Sequence, residues 1–237
     1  MTNNHQSKGK KQQVRTMFND IAPRYDLLNH LLSANIDKSW RKKVRRLLGK
    51  GHPDKILDVA TGTGDLAIEL AKLPVKKIIG IDIAAEMLEV GRVKVQNRGL
   101  QHLIELQLGD SEAIVFEDNS FDAVSVAFGV RNYEDLPKGL KEMQRVLKPG
   151  GMVAILEFSK PAAFPMKHIY RFYFNYILPT IGKMVSKNSS AYTYLPNSVA
   201  AFPEGDVFMK AMQTAGFIHP KQQRLTFGIA TLYSASK

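Results

Sequence analysis

The feature that most limits what this chain can fold into is an alternation of strand-like and helix-like segments that begins at Lys55. Short apolar runs predict strands, and apolar residues at helical spacing predict helices between them. Such alternation predicts right-handed βαβ units and a mostly parallel sheet, which is an α/β fold. The predicted strands cover residues 55–60, 77–83, 103–108, 121–128, 152–158, 217–225 and 227–235, and the predicted helices among them cover 84–98, 136–147 and 203–215.

The length of 237 residues suits one domain with a sizeable core. Residues 1–11 are polar and basic, and we expect them to form a disordered tail. Residues 12–237 then form the single domain. Its first part, residues 12–50, is predicted to be helical, with breaks near Pro23 and around residues 33–35.

Residues 160–200 interrupt the alternation and are predicted to be a helical insertion before the last strands. Nine of the chain's 21 aromatic residues lie between residues 158 and 194. Folds of this class bind ligands at the carboxyl edge of the sheet, so we expect the insertion to lie over that edge. The aromatic residues then line an apolar substrate cleft or contact a membrane, or else they are ordinary core.

Composition excludes several classes of function. The chain has no cysteine, which excludes disulfides, thiolate metal sites and cysteine nucleophiles, and no metal site is predicted. The polar start is unlike a secretory signal, and no apolar run approaches the roughly 20 residues that span a bilayer. We therefore expect a cytoplasmic protein. Its net charge of +11 favours a polyanionic partner.

The positive charge is concentrated between residues 38 and 50, which contain seven basic residues and no acidic one. Trp40, Val44, Leu47 and Leu48 recur there at helical spacing, so the segment predicts a helix with one apolar stripe and a basic remainder. One interpretation is a solvated helix face. The other is peripheral contact with anionic lipids at the inner face of the membrane. Nucleic acid is not expected as a partner, because no RNA-binding aromatic signature accompanies the charge.

The strongest local signal for a site is the sequence DVATGTGD at residues 58–65, between a predicted strand and a predicted helix. Gly62 and Gly64, with Thr63 between them, allow a tight turn that approaches a ligand closely. Dinucleotide sites use a similar turn for a pyrophosphate. Here Asp58 and Asp65 flank the turn and would repel a pyrophosphate, so the sequence favours a cationic cofactor, S-adenosyl-L-methionine, over NAD.

Two further acidic positions follow the next predicted strands. Asp82 can accept hydrogen bonds from both ribose hydroxyls, although it can also cap the helix after it. Asp110 and Ser111 are expected to bind the adenine amino group, although they can also form a turn. Because the carboxyl ends of parallel strands meet at one edge of the sheet, the joint occurrence of these residues predicts a cofactor site there.

At this point the sequence resembles the ubiquinone/menaquinone biosynthesis C-methyltransferase family (UbiE/MenG). The resemblance is carried by YDLLNHLLS at residues 25–33 with Trp40 after it, by FGVRN at 128–132, and by RVLKPGG at 145–151 followed by LEFS at 156–159. The chain departs from the family pattern at Leu28, where Met is usual, and at Asp37, where His is common. Ala127 also stands where some members have serine.

The resemblance implies a class I methyltransferase fold. This fold is a Rossmann-like three-layer sandwich with a mostly parallel seven-stranded sheet whose last strand is antiparallel. It also implies a methyltransferase that uses S-adenosyl-L-methionine to methylate a ring carbon of a prenylated quinol, either demethylmenaquinol or a benzoquinol. By motif match, Thr63, Asp82, Asp110 and Ser111 are the expected cofactor contacts.

Methylation of a quinol carbon needs a ring made electron-rich by ionisation of the neighbouring hydroxyl, so the site must take or stabilise that charge. Arg131 is the main candidate for the ring oxyanion, because its guanidinium stays protonated. Asn132 is expected to hold the second ring oxygen, Tyr25 to close the site, and Glu157 is a candidate base. The structural alternatives are a salt bridge for Arg131, a helix cap for Asn132 and a core position for Tyr25. For Glu157 the alternative is a structural partner of a nearby Arg or Lys.

Other functions remain open from sequence. The acceptor can be another apolar molecule, such as a sterol or a fatty acid. The chain can also be a non-catalytic subunit that binds the cofactor and docks on membranes. A homodimer is a further expectation.

Overall fold

The computed structural model describes residues 9–33, 35–172 and 190–237. A seven-stranded sheet with the order β3-β2-β1-β4-β5-β7-β6 forms its centre. The last strand, β7, is antiparallel to both of its neighbours, and the pairings among β1 to β5 are parallel. The strands are β1 (Lys55–Val59), β2 (Lys77–Asp82), β3 (Ile104–Leu108), β4 (Phe121–Ala127), β5 (Leu147–Phe158), β6 (Ile218–Leu225) and β7 (Ala230–Ser236).

Helices cover both faces of this sheet. They are α1 (Lys10–Leu32), α2 (Ile36–Leu48), α3 (Asp65–Leu70), α4 (Ala85–Asn97), α5 (Leu136–Val146), α6 (Met166–Phe172), α7 (Ser190–Ala201) and α8 (Asp206–Thr214), with a 3₁₀ turn at Val130–Asn132. Successive strand residues point to opposite faces, which divides the core into two clusters. Leu57 packs in the cluster that contains residues of α5 and α8, whereas Ile56 packs with residues of α2, α3 and α4. The predicted three-layer fold is therefore confirmed.

The predicted break of the first helix at Pro23 is wrong, because α1 is continuous from Lys10 to Leu32. A proline inside a helix lacks the N–H donor and crowds the preceding turn, which costs about 3 kcal/mol. Contacts with α4 lie on both sides of this proline and hold the two halves of α1 on one axis. Asn19 Oδ1 accepts from the Glu86 amide, and Asp26 forms an ion pair with Lys94. The second predicted break agrees with the model, because α1 ends at Leu32 and α2 begins at Ile36.

The strand predictions differ most from the structure at β5. This strand begins at Leu147, where Leu147 pairs with Phe121, and it passes through Gly150 at a φ of 77°. The sequence pattern predicted this strand only from residue 152. An irregular register between Phe121 and Ala123 lets the pairing resume at Met152.

Two helices of the predicted insertion, α6 and α7, lie among the described residues. Residues 173–189 of the predicted insertion lie outside the part of the chain that the structure describes. α7 contacts the 3₁₀ turn at Val130–Asn132, just past the carboxyl end of β4. This part of the insertion therefore reaches the sheet edge where the site residues lie.

Candidate functional site

A cleft of about 640 Å³, including its opening to solvent, lies at the carboxyl ends of β1 to β4. Helix α1 forms one wall, through Lys11, Val14, Phe18 and Tyr25. A smaller cavity of about 360 Å³ adjoins this cleft and lies beside the glycine-rich loop. Both cavities are lined by Tyr25, Ala60, Gly62, Ala127 and Phe128.

The glycine-rich loop between β1 and α3 turns by means of left-handed backbone conformations. Gly62 has a φ of 57° and Gly64 a φ of 77°, and Ala60 adopts a φ of 52°, which is uncommon for a residue with a side chain. A Cβ atom at Gly62 would lie 3.3 Å from Met87 Cε. The left-handed conformation therefore favours glycine at this position, and a Cβ atom would also displace the end of the Met87 side chain.

Asp58 lies beneath the loop and is fully buried. Its carboxylate accepts hydrogen bonds of 2.6 Å from the hydroxyls of Thr61 and Ser125. Burial raises the pKa of Asp58 to about 6, although the two hydroxyl bonds oppose the shift. Asp58 thus ties the loop to β4, and its predicted contact with a cofactor stays a prediction.

Asp82 ends β2 and lines the larger cleft. One carboxylate oxygen accepts from the Gly62 amide at 2.8 Å, and the other accepts from the Ala84 amide at 2.9 Å. Backbone donors therefore fix the carboxylate, and because each carboxylate oxygen can accept more than one hydrogen bond, it can also accept from a ligand. The helix-capping alternative and the ligand-binding interpretation are compatible in this geometry. Desolvation raises the pKa of Asp82, while the amide bonds oppose that shift.

Asp110 and Ser111 follow β3 and also line the larger cleft. One oxygen of Asp110 accepts from the amide of Glu112 at 2.9 Å, which forms the turn that the sequence allowed. The other accepts from Lys11 Nζ at 2.8 Å, and Lys11 also lies 2.9 Å from the buried carboxylate of Glu112. The start of α1 is therefore tied to the strand end that is expected to bind adenine.

The acidic flank of the glycine-rich loop carries less free negative charge than its sequence suggested. Asp65 forms ion pairs with Lys94 and with Arg41, whose Nη2 lies 3.3 Å away. Thr63 donates to Asp26 Oδ1 at 2.6 Å and accepts from Lys94 at 3.1 Å. The assumption of an uncompensated Asp65 is therefore wrong, because helices α1, α2 and α4 converge on the loop and bring these partners.

Arg131 and Glu157 form a buried ion pair at the ends of β4 and β5. The distance from Arg131 Nη1 to Glu157 Oε1 is 2.7 Å, and the two side chains are 6% and 0% exposed. Arg131 Nε also lies 3.3 Å from Ser198 Oγ, and the guanidinium lies over the Phe158 ring. Burial raises the pKa of Glu157, while Arg131 opposes that shift. The structure therefore shows the ion-pair alternative that the sequence left open.

Asn132 and Tyr25 line the cleft, whereas Arg131 is not among the described residues that line either cavity. Tyr25 packs edge-on against Phe18 with ring centroids 5.9 Å apart. The Asn132 amide accepts a 3.1 Å hydrogen bond from the Tyr194 hydroxyl. Of the three predicted catalytic residues, the structure brings two to the cleft, and a direct contact from Arg131 to a ring oxygen stays a prediction.

Some basic side chains of α2 pair with acidic residues of the protein, and others are exposed to solvent. Arg41 is buried, and its guanidinium pairs with Asp37 and Asp65. Arg45 Nε donates to Glu69 at 2.9 Å. Three basic side chains of α2 remain exposed, at Lys38, Lys42 and Arg46, and Lys50 is exposed in the turn that follows the helix. None of the described helices is both long and apolar enough to cross a membrane.

Sequence reasoning missed several residues around the site. Lys94, Arg41 and Lys11 pair with carboxylates that lie far away in the chain, and nothing in their local sequence indicated those partners. Asp26 was in a quoted motif but received no role. Tyr194 was counted only among the aromatic residues of the insertion.

Comparisons with known proteins identify the family of this chain. The family model of the ubiE/COQ5 methyltransferase family matches residues 6–237. A demethylmenaquinone methyltransferase of Bacteroides fragilis is 50% identical over 229 residues, which cover 96% of this chain and 94% of that protein. A ubiquinone/menaquinone biosynthesis C-methyltransferase UbiE of Geotalea daltonii is 48% identical over 230 residues, which cover 96% of this chain and 97% of that protein.

A solved structure supports the fold alone. This SAM-dependent methyltransferase from Thermotoga maritima matches with a TM-score of 0.65 at 18% identity, covering 94% of this chain and 99% of that one. The family model and the two relatives cover nearly the whole chain, including the glycine-rich loop, both cavities and the quoted motifs. This chain belongs to the ubiE/COQ5 methyltransferase family.

Proposed function

We propose that this chain transfers a methyl group from S-adenosyl-L-methionine to a ring carbon of a prenylated naphthoquinol, converting demethylmenaquinol to menaquinol. The observation that carries the proposal is 50% identity, over 96% of the chain, to a protein named demethylmenaquinone methyltransferase. The cleft supports it independently, since it combines a fixed carboxylate at Asp82 with apolar walls and polar groups at Asn132 and Tyr25.

The residues around the cleft fit the cofactor. Asp82 lines the cleft with a fixed carboxylate that can accept from the ribose hydroxyls, and Gly62 leaves the space that a Cβ atom would fill. Val14, Phe18 and Met87 offer an apolar surface for an adenine ring, beside Asp110 and Ser111. When bound, S-adenosyl-L-methionine supplies an electrophilic methyl group on a positively charged sulfur.

The chain's own residues then prepare the acceptor. Asn132 and Tyr25, which both line the cleft, hold the ring oxygens and so orient the carbon to be methylated. The Arg131–Glu157 pair anchors the 3₁₀ turn that carries Asn132, because Glu157 accepts from both the side chain and, at 3.4 Å, the backbone amide of Arg131. Electrostatic stabilisation of the ring oxyanion comes from donors held in place before the reaction.

We also propose that the basic face of α2 contacts anionic lipid at the inner face of the membrane. Lys38, Lys42 and Arg46 are exposed at a spacing of four residues, which aligns them along one side of the helix. The indole of Trp40 donates to Thr226 Oγ1 at 2.8 Å, which places α2 beside the turn whose Phe227 is 78% exposed. A basic helix next to an exposed aromatic residue is typical of a membrane-surface contact.

Co-sedimentation with vesicles tests this contact. We expect binding to vesicles containing phosphatidylglycerol but weak binding to pure phosphatidylcholine. The triple variant K38E/K42E/R46E should lose the binding. The control K141E/K210E/K221E makes the same change in net charge at three exposed lysines of α5, α8 and β6. Equal losses in both variants would attribute the binding to net charge and refute a role for α2.

The methylation proposal is tested with labelled S-adenosyl-L-methionine and a panel of acceptors. The panel contains a reduced prenylated naphthoquinol, its oxidised quinone, a reduced prenylated benzoquinol, a sterol and an unsaturated fatty acid. We expect label on the ring of the reduced naphthoquinol and none on the oxidised form, which has no hydroxyl to ionise. Label only on the sterol or fatty acid, or no transfer to any acceptor, would contradict the proposal.

The second candidate is methylation of a benzoquinol in ubiquinone biosynthesis. It is favoured by the relative from Geotalea daltonii, whose name covers both quinones. The same panel separates the two candidates, because the ratio of kcat/KM for the two reduced rings measures the preference directly.

A further inference from the structure

The Asn132 amide lines the cleft, and its orientation decides whether it presents a donor or an acceptor to a ligand. We infer that Tyr194 of α7 is a positioning residue that holds this amide so that its N–H faces an oxyanion on the acceptor ring. The inference rests on the proposed function, because that function supplies a ring oxygen that becomes negatively charged.

The two ends of the Asn132 amide have different partners. Tyr194 Oη lies 3.1 Å from Oδ1, and Nδ2 lies 3.4 Å from the carbonyl oxygen of Phe128. A backbone carbonyl can only accept, so the amide nitrogen must be the atom that faces Phe128. The amide oxygen therefore faces Tyr194, and the tyrosine hydroxyl must donate to it.

This arrangement uses both the amide oxygen and one of the two amide protons. Among the described residues, no protein acceptor is assigned to the second amide proton of Asn132. Because the residue lines the cleft, we assign that proton to the ligand. Asn132 thus presents a hydrogen-bond donor to the cleft. This donor suits a phenolate or carbonyl oxygen and disfavours a ring substituent that cannot accept a hydrogen bond.

The tyrosine is suited to a donor role because its hydroxyl stays protonated. Burial raises the pKa of Tyr194, and Glu157 adds to the shift while Arg131 opposes it. A donor that keeps its proton holds the amide in one orientation throughout the reaction. An ionised tyrosine would instead repel the amide oxygen and release it.

A second contact from the same helix makes α7 the support of the whole 3₁₀ turn. Ser198 Oγ lies 3.3 Å from Arg131 Nε, four residues after Tyr194 and thus on the same side of the helix. Ser198 is buried, and its hydroxyl also donates to the carbonyl of Leu195. The insertion therefore contacts both polar residues of the turn, which explains how it can influence acceptor binding without itself lining the described cleft.

A pair of acceptor analogues tests the inference. One is 2-hydroxy-1,4-naphthoquinone, which is an anion at pH 8, and the other is its neutral methyl ether. Their dissociation constants are measured by calorimetry with saturating S-adenosylhomocysteine. We expect the wild-type protein to prefer the anion. In Y194F, the preference and kcat/KM for the quinol should each fall about tenfold, which corresponds to one charge-assisted hydrogen bond.

The control is Y233F, which removes a hydroxyl that accepts from the Gly205 amide at 2.8 Å in the core. This variant should keep the anion preference, and both variants should keep the wild-type affinity for S-adenosyl-L-methionine. A merely structural role of Tyr194 would weaken both analogues equally and leave their ratio unchanged. That result, or a wild-type protein without anion preference, would overturn the inference.

Two further results separate this inference from the proposed function. N132D replaces the donor by an acceptor and should abolish the anion preference even if Y194F fails to fold; retention of the preference in N132D would overturn the inference. Failure of the wild-type protein to methylate any quinol would refute the proposed function. Methylation by the wild type with an unchanged ratio in Y194F would refute only the role of Tyr194.

Discussion

The two ends of the cleft are built in different ways. At the edge of β1 to β3, Asp82 is held by the amides of Gly62 and Ala84, on the loops that follow β1 and β2. At the edge of β4 and β5, Arg131 and Asn132 are held by side chains instead of backbone amides. Arg131 pairs with Glu157, 26 residues away, and Asn132 with Tyr194, 62 residues away.

This difference separates what is general in the fold from what is particular to the acceptor. Backbone amides and glycine turns can hold the same nucleoside in many proteins, since they depend little on side chains. The acceptor end depends on buried polar side chains, each of which needs its partner. We therefore expect substitutions at the acceptor end to destabilise the protein, and substitutions at the cofactor end mainly to weaken binding.

The largest expected effect is the loss of the ion pair at the acceptor end. E157Q leaves the buried guanidinium of Arg131 without its counter-charge, which should lower the free energy of unfolding by about 3–5 kcal/mol. Urea denaturation measures this loss. The control E105Q removes a carboxylate that is 48% exposed and pairs with Lys77, and should cost at most about 1 kcal/mol. Equal effects would show that solvent screens the Arg131–Glu157 pair.

The next largest effect is expected in the pH dependence of the free energy of unfolding, through Asp58 at the cofactor end. Burial raises the pKa of Asp58 to about 6 from its ordinary value of 3.8. The folded protein then binds more protons than the unfolded chain between these values, so this group's contribution to stability is lost as the pH rises. D58N does not titrate at this position. The stability of wild type relative to D58N should therefore fall by about 3 kcal/mol between pH 3.5 and pH 7.

Denaturant titrations at several pH values measure this difference. A difference that stays constant over the range would mean that the Thr61 and Ser125 hydroxyls fully compensate the burial. The result would place Asp58 among the ordinary ionised carboxylates.

Binding of the cofactor should depend strongly on Asp82. D82A removes the acceptor proposed for the ribose hydroxyls, and each charge-assisted hydrogen bond contributes about 1.5 kcal/mol or more. We expect a loss of roughly 100-fold in kcat/KM for S-adenosyl-L-methionine, measured by steady-state kinetics. The control D118A removes a carboxylate that is 67% exposed and should be neutral. A change below about threefold in D82A would remove Asp82 from the binding site.

The smallest effect is expected at the start of α1. K11M removes the ammonium that pairs with Asp110 and Glu112. Because the Lys11 side chain is 33% exposed and Glu112 keeps its hydrogen bond from the Glu134 amide, the loss of stability should stay below about 1 kcal/mol. Its control is K72M, which removes a surface partner of Glu69. A much larger loss in K11M, measured by urea denaturation, would show that the hold of α1 on the cleft is part of the core of the fold.

The fold was largely predictable because each strand and most helices leave a local pattern. Strand ends fell within about one to three residues except at the start of β5, where a left-handed Gly150 continues the strand instead of ending it. At Pro23 the sequence contains a local signal for a helix break, but the packing of α1 on α4 keeps the helix continuous.

The cofactor end was more predictable than the acceptor end for the same physical reason. Gly62 and Asp82 lie at strand ends, and a parallel sheet brings strand ends together. The partners of Arg131 and Asn132 were not predictable as pairs, because Glu157 and Tyr194 reach them only through the tertiary fold. Even at the cofactor end, the ion pairs of Asp65 with Lys94 and Arg41 were not predictable, because these partners reach Asp65 only through the tertiary fold.

Calorimetric titration of the wild-type protein with S-adenosyl-L-methionine and, separately, with NAD decides which cofactor the glycine-rich loop and Asp82 bind. We expect saturable binding of S-adenosyl-L-methionine at one site per chain and no detectable binding of NAD. Tight binding of NAD with no binding of S-adenosyl-L-methionine would show that this site holds a different nucleotide and is not a methyl-donor site.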